Sequence, residues 1–178
     1  RSTWLFSATM PDEIQKIIKK YMAPSAIRVA VNEGNLVNEN ITHQYVKTTI
    51  KEKTDLIIKF LEKRPNDRGI IFCRTKAGAR NLTIQQKERD KAMRAFKNES
   101  IQYLVSTDVS ARGIDVRDLA FVLHHQLPEQ LEYYTHRSGR TARAGKTGFS
   151  LAFILPYELE RVHEIQKELG IKFTEISF

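Results

Sequence analysis

Short runs rich in β-branched and aromatic residues alternate along this chain with longer segments whose apolar positions recur every three or four residues. The first kind reads as strands and the second as amphipathic helices. Strands are expected at "TWLFSA", "AIRVAV", "THQYVKTT", "GIIFC", "QYLVS", "AFVLHHQ", "GFSLAFI" and "FTEIS". A helix is expected after Pro11, over "DEIQKIIKKYM", with Ile14, Ile17, Ile18 and Tyr21 on one face. "KEKTDLIIKFLEK" repeats the pattern with Leu56, Ile57, Phe60 and Leu61, and "YELERVHEIQKEL" with Leu159, Val162, Ile165 and Leu169. Strands and helices taking turns predict an α/β fold, a mainly parallel central sheet with helices on its faces.

The alternation breaks once. After "GIIFC", the helix start "TKAGARNLT" runs directly into a second helical stretch, "QQKERDKAMRAFKN", marked by Ala92, Met93 and Phe96. Two crossover helices without a strand between them do not fit a right-handed βαβ series. The expectation is that residues are missing between Thr83 and Gln85, because deleting a central strand would leave its neighbours unpaired. Nearer the start, "NEGNLVNEN" is polar and aperiodic and reads as an interdomain linker.

Composition narrows the partners. The chain's 178 residues suit one domain, or one domain and a fragment of another. Its 29 Lys+Arg against 21 Asp+Glu give a net charge of +8, which favours an acidic partner such as nucleic acid. Cys73 is the single cysteine, so no internal disulfide forms, and its apolar neighbours predict a buried strand residue. With one cysteine and no apolar run long enough to span a membrane, a soluble, cytoplasmic protein is expected. The opening "RSTWLFSATM" lacks an initial methionine, and the expectation is a piece of something longer.

Chemistry gathers in three stretches. "HRSGRTARAG", from His136 to Gly145, sets Arg137, Arg140 and Arg143 three residues apart with no acid among them. Guanidinium forks grip phosphate oxygens two at a time, so the cluster points to a polyanion. The three cannot share one helical face and so address more than one group. "STDVSARGID", from Ser106 to Asp115, follows a strand directly and falls at the C-terminal edge of a parallel sheet, where such folds bind ligands. It supplies the Thr107 hydroxyl, the Arg112 fork, a close backbone approach at Gly113 and an acceptor for ribose hydroxyls at Asp115, with Asp108 read as a helix cap. "FSATMP" near the start reads as a helix cap. Tyr133 and Tyr134 read as packing residues before base-stacking ones, and His124 and His125 as strand-end residues without metal-ligand spacing. "GKT" at Gly145 to Thr147 imitates the end of a P-loop, but Arg140 stands where its first glycine belongs.

In this order, "SAT" followed by "MP", "IIFCRT", "QKER", "STDVSARGID" and "HRSGRTAR" resemble the later motifs of DEAD-box ATP-dependent RNA helicases across nearly the whole chain. The resemblance implies a RecA-like three-layer α/β/α sandwich. Residues 1–31 would be the C-terminal end of a first RecA-like domain, 32–40 the linker and 41–178 the second domain. Two such domains close over ATP and RNA. By resemblance, Arg140 and Arg143 reach the ATP phosphates and Asp115 the ribose. His136 acts in catalysis, coupling the nucleotide and RNA sites together with Ser7 and Thr9. Gln86, Arg89, Thr107, Arg112 and Gly113 hold the RNA backbone without reading its sequence. Ser138 departs from the family's usual aliphatic residue and Ala142 from its frequent glycine, and the family's RNA-contacting "HG" turn has no counterpart. No P-loop and no "DEAD" occur, so ATP and Mg2+ are expected to be held mainly by the first domain, and this chain alone to be inactive. A monomer is expected. A stand-alone RNA-binding or regulatory module, and a DNA-unwinding relative, are the alternative readings.

Overall fold

The computed structural model describes residues 3–7, 10, 12–29, 37–74, 86–108, 119–143 and 145–177, with 86–90 through their backbone alone. It divides into two compact units, Arg1–Gly34 and Asn35–Phe178.

The first unit contains helix α1, Asp12–Tyr21, with Asp12 and Glu13 in its first turn and Lys19 and Lys20 in its last. That polarity complements the helix dipole. The strands expected at "TWLFSA" and "AIRVAV" do not form among the described residues 3–7 and 26–29. Alternating apolar residues make a strand only where a ladder partner and a packing face exist. Here Trp4 and Phe6 are 79% and 89% exposed, and Ile27 and Val29 are equally open.

The second unit is built on six strands: β1 Ile41–Lys47, β2 Gly69–Phe72, β3 Tyr103–Ser106, β4 Phe121–His124, β5 Gly148–Ile154 and β6 Phe173–Glu175. They lie in the order β3-β2-β4-β5-β1-β6, and every pairing is parallel. The connections carry helices α2 Lys53–Glu62, α3 Gln86–Lys97, α4 Leu131–Ser138 and α5 Leu159–Leu169. "GIIF" and "FVLH" are buried at every position, as strands covered on both faces must be.

The register sorts side chains between those faces. Ile71, Phe121, Leu123, Leu151, Phe153 and Val46 pack on one side against Ile57 and Phe60 of α2. Ile70, Phe72, Leu104 and Val122 pack on the other against Phe96 of α3. That same side continues through Ala152 and Ile154 to Tyr134 of α4 and Val162 and Ile165 of α5. The result is the three-layer α/β/α arrangement.

The order bears on the stretch where the alternation breaks. β2 lies between β3 and β4, and β4, β5 and β1 each have two neighbours, so the centre of the sheet has no gap; β3 forms one edge. The interrupted stretch, 75–85, lies outside the described residues. Cys73 is buried as expected, but it lies just beyond the end of β2 and not within the strand.

Candidate phosphate-facing site

A fully parallel sheet brings all its C-terminal strand ends to one edge, so the residues after β3 and β4 meet there. α4 begins after Gln130 and is anchored by Leu131 and Tyr134, which pack among Leu127, Ile154 and Val162. Its end tightens: Gly139 N donates to Thr135 O (2.9 Å), Arg140 N to Arg137 O (3.1 Å) and Thr141 N to Ser138 O (3.2 Å). The last two span three residues where the first spans four, and such tightened bonds satisfy carbonyls that the last turn would otherwise leave unpaired. The chain then reverses. Thr141 Oγ1 donates to Leu119 O, Asn38 Nδ2 donates to Ala142 O (2.6 Å), and Arg143 Nε reaches back to Gly139 O (3.0 Å). Ala142 takes a left-handed conformation with φ 56, which explains why a glycine is at home there. Gly148, at the start of β5, leaves room for this turn: a Cβ on it would run into Thr141 Oγ1 and lie 2.9 Å from Ala142 N.

The three arginines of "HRSGRTAR" separate into two kinds. Arg137 is 1% exposed and does not face an external polyanion. Its Nε and Nη2 hold the two carboxylate oxygens of Asp108 at 2.6 and 2.7 Å, Nη1 donates to Gln126 O at 2.9 Å, and the guanidinium lies 5.1 Å from the Phe72 ring centre. The expectation of a cluster without a neutralising acid is therefore corrected. The acid is supplied by Asp108, from the end of β3. Arg140 and Arg143 are half-buried on the reversal.

Arg137 opens a buried polar chain across the face of the sheet. Its Nη1 is 3.4 Å from His124 Nδ1, which must accept, leaving His124 Nε2–H to donate to Ser150 Oγ at 2.9 Å. Ser150 Oγ lies 3.0 Å from Ser138 Oγ and 3.3 Å from Tyr134 Oη, and Tyr134 Oη is 2.6 Å from His43 Nδ1. The register makes this possible, since His43 on β1 faces Ser150 on β5. Burial keeps both histidines neutral. His43 falls from 6.5 to about 4, and His124, further opposed by the charge of Arg137, lies well below its ordinary value. Burial and the loss of a charged state in a low dielectric likewise push the Tyr134 hydroxyl up.

Ser138 thus sits in this network rather than in a purely apolar setting, which accounts for a hydroxyl where the resembling family has an aliphatic residue. Tyr134 is buried, in line with its packing role, and Tyr133 is half-buried.

Against this frame stand three comparisons with known proteins. The helicase conserved C-terminal domain matches residues 52–145, more than half of the chain. The chain is a helicase C-terminal domain of the DEAD-box family. The domain is 34% identical to the ATP-dependent RNA helicase DbpA of Bacillus subtilis (strain 168), over 99% of this chain and 40% of that protein. It is 36% identical to the DEAD-box ATP-dependent RNA helicase CshA of Geobacillus kaustophilus (strain HTA426), over 94% of this chain and 39% of that protein. The chain therefore spans about 40% of the length of these curated relatives. Among solved structures, a DEAD box protein from the hyperthermophile Methanococcus jannaschii aligns with TM-score 0.68 and 34% identity, over 97% of this chain and 50% of that one. S. cerevisiae Dbp5 bound to RNA and ADP BeF3 aligns with TM-score 0.80 and 27% identity, over 96% and 50%.

Within the helicase domain, the remaining site expectations are distributed unevenly. His136 is part-exposed on α4 with Nε2 3.8 Å from Glu132 Oε1, one turn earlier. Thr107 is buried beside Asp108, so the segment after β3 and the arginine segment are joined through the Asp108–Arg137 pair. Gln86 and Arg89 lie on α3, described through its backbone. Ser7 is exposed in the first unit. Thr9, Arg112, Gly113 and Asp115 lie outside the described residues. Asp108, Gln126, His124, Ser150 and His43 were not anticipated as partners of the arginine segment. Their positions on, or two residues beyond, the strands carry the signal, and it becomes readable once strand order is known.

Proposed function

We propose that this domain is the second half of an ATP-dependent RNA helicase, in which Arg140 and Arg143 meet the triphosphate held by a first RecA-like domain. The observation that carries the reading is the division within the arginine cluster. Arg137 is committed internally to Asp108, and it fastens the helix end from which a reversal pinned at Thr141 and Ala142 presents the other two. Guanidinium groups on so constrained a base fit the phosphate end of a nucleotide, since their placement is set before the ligand arrives.

On this reading, residues 1–31 end the first domain and 32–40 link it to the second. The unit boundary between Gly34 and Asn35 falls inside that linker. Arg140 and Arg143 stabilise charge on the transferring phosphoryl group, and Asp115 accepts from the ribose. His136, with Ser7 and Thr9, couples this site to RNA. Thr107, Arg112, Gly113, Gln86 and Arg89 line the RNA backbone, in keeping with the net charge of +8. Mg2+ belongs to the first domain's carboxylates, and bound there it neutralises phosphate charge. The 178-residue chain by itself does not turn over ATP.

The deciding experiment is Arg143→Ala in the two-domain protein. An interaction made mainly in the transition state affects turnover and spares ground-state binding. Arginine fingers contribute on the order of 10³ to 10⁵ in rate, and the lower end is expected because Arg140 remains. RNA-stimulated ATPase and unwinding should fall together while nucleotide affinity changes little. Near-normal turnover would sink the assignment.

A further inference from the structure

We infer that Asn38 is a positioning residue for the arginine reversal: its carboxamide clamps the Ala142 carbonyl and thereby sets where Arg143 stands. The inference rests on the role proposed for Arg143 above.

Both ends of the Asn38 side chain are engaged. Nδ2 donates to Ala142 O at 2.6 Å across 104 residues of sequence, while Oδ1 accepts from Asn40 N at 2.9 Å. An amide that gives at one end and receives at the other has only one satisfactory orientation, so the network fixes which atom faces the turn. The backbone around it is also tied down. Asn38 O accepts from Ile41 N, and Asn40 O accepts from Gly148 N, both at 3.1 Å. Residues 38–41 thus straddle the start of β5 and reach the reversal in a single step.

Ala142 is where such a clamp has most effect. It is buried and left-handed, a conformation an alanine keeps only when its surroundings over-determine it. Its carbonyl leaves the line of α4 at the reversal, and Asn38, from the exposed side, satisfies it there through a part-buried hydrogen bond. Thr141 is fastened on the preceding side through Leu119 O. Arg143 follows immediately, so the peptide that aims it is held from two directions, one of them by a residue just past the Gly34–Asn35 boundary. Misplacement of a reacting partner by about 1 Å costs as much as 10²-fold in rate.

The test uses Asn38→Ala and Asn38→Asp; the aspartate keeps the acceptor toward Asn40 but loses the N–H donor. In the 178-residue chain, hydrogen exchange of the Lys146 amide, which bonds to Arg143 O, should speed up in both variants while β4 and β5 amides hold. In the two-domain protein, both should lower RNA-stimulated kcat roughly tenfold with little change in the KM for ATP, and neither should lower it further in an Arg143→Ala background. Unchanged Lys146 exchange overturns the clamp itself. Faster exchange with an intact kcat, or an equal proportional loss without Arg143, overturns the positioning role and leaves the finger standing. If Arg143→Ala alone retains turnover, the finger reading fails and the positioning role with it, and the exchange result still reports on the clamp separately.

Discussion

Arg137 and Asp108 meet as a two-point ion pair across 29 residues of sequence, with Nε–Oδ1 at 2.6 Å and Nη2–Oδ2 at 2.7 Å. The pair joins the end of β3 to the end of α4. A fork matched to a carboxylate holds orientation as well as distance, so the segment after β3 and the arginine reversal move as one piece.

Asp108→Ala should therefore destabilise the domain by about 3 kcal/mol, because it strands a buried guanidinium without its counter-charge. The low end of the range for broken buried pairs applies, since the Asp108 side chain retains some contact with water. Urea unfolding measures the loss. Replacing both partners, as Arg137→Met with Asp108→Leu, should cost less than the single change; a double variant that is worse than Asp108→Ala would contradict a role confined to charge compensation.

Ala142→Gly should stabilise the domain. A left-handed alanine costs roughly 1–2 kcal/mol, against about 0.5–1 kcal/mol for the extra freedom of glycine in the unfolded chain. A net gain of around 0.5 kcal/mol, read as a rise in the urea midpoint with an unchanged slope, is expected. Gly148→Ala should act in the opposite direction, since the added methyl meets Thr141 Oγ1 and the Ala142 backbone. A neutral Gly148→Ala would mean the reversal has slack.

Stability should fall in mild acid. His43 binds its proton only near pH 4 when folded and near 6.5 when unfolded, so between these values the unfolded chain holds more protons and gains as pH drops. His124 adds to the trend over a window extending lower. Each contributes a slope of at most about 1.4 kcal/mol per pH unit within its window, and only a small part of that at pH 7, where both are mostly neutral in either state. Unfolding free energies at pH 7, 6 and 5 check this, and His43→Gln should flatten part of the slope. A profile flat from pH 7 to 5 would show that the buried ring finds a charge partner.

All six strands of the second unit were readable from residue type and spacing: β2 and β4, buried on both faces, stood out as short apolar runs, while β1 and β6, open to solvent at several positions, showed through their β-branched and aromatic residues. "GFSLAFI" matched β5 residue for residue. "TWLFSA" and "AIRVAV" have equally good patterns and formed no strand among the described residues, since alternation records what a segment would bury and not whether a neighbour is there to bury it. Arg137 was misread for a related reason. Local sequence counts the charges near Arg137, but its acid comes from the segment just after β3, and Asp108 taken alone looks like an ordinary helix cap. Tyr133 and Tyr134 were both read as packing residues, and the fold buries Tyr134 while leaving Tyr133 half-buried.

The sheet order has a mechanical corollary. β1 is the strand by which the chain enters the second unit, and it is an inner strand, held by seven register pairs to β5 and three to β6. A pull along its axis from the chain ahead of Ile41 loads these bonds in shear, all together, where an edge strand tugged sideways would unzip them one at a time. Tension arriving through residues 38–40 is thereby passed through an inner strand into the sheet as a pull on a rigid body, and the turn braced by Asn38 feels it before any strand parts.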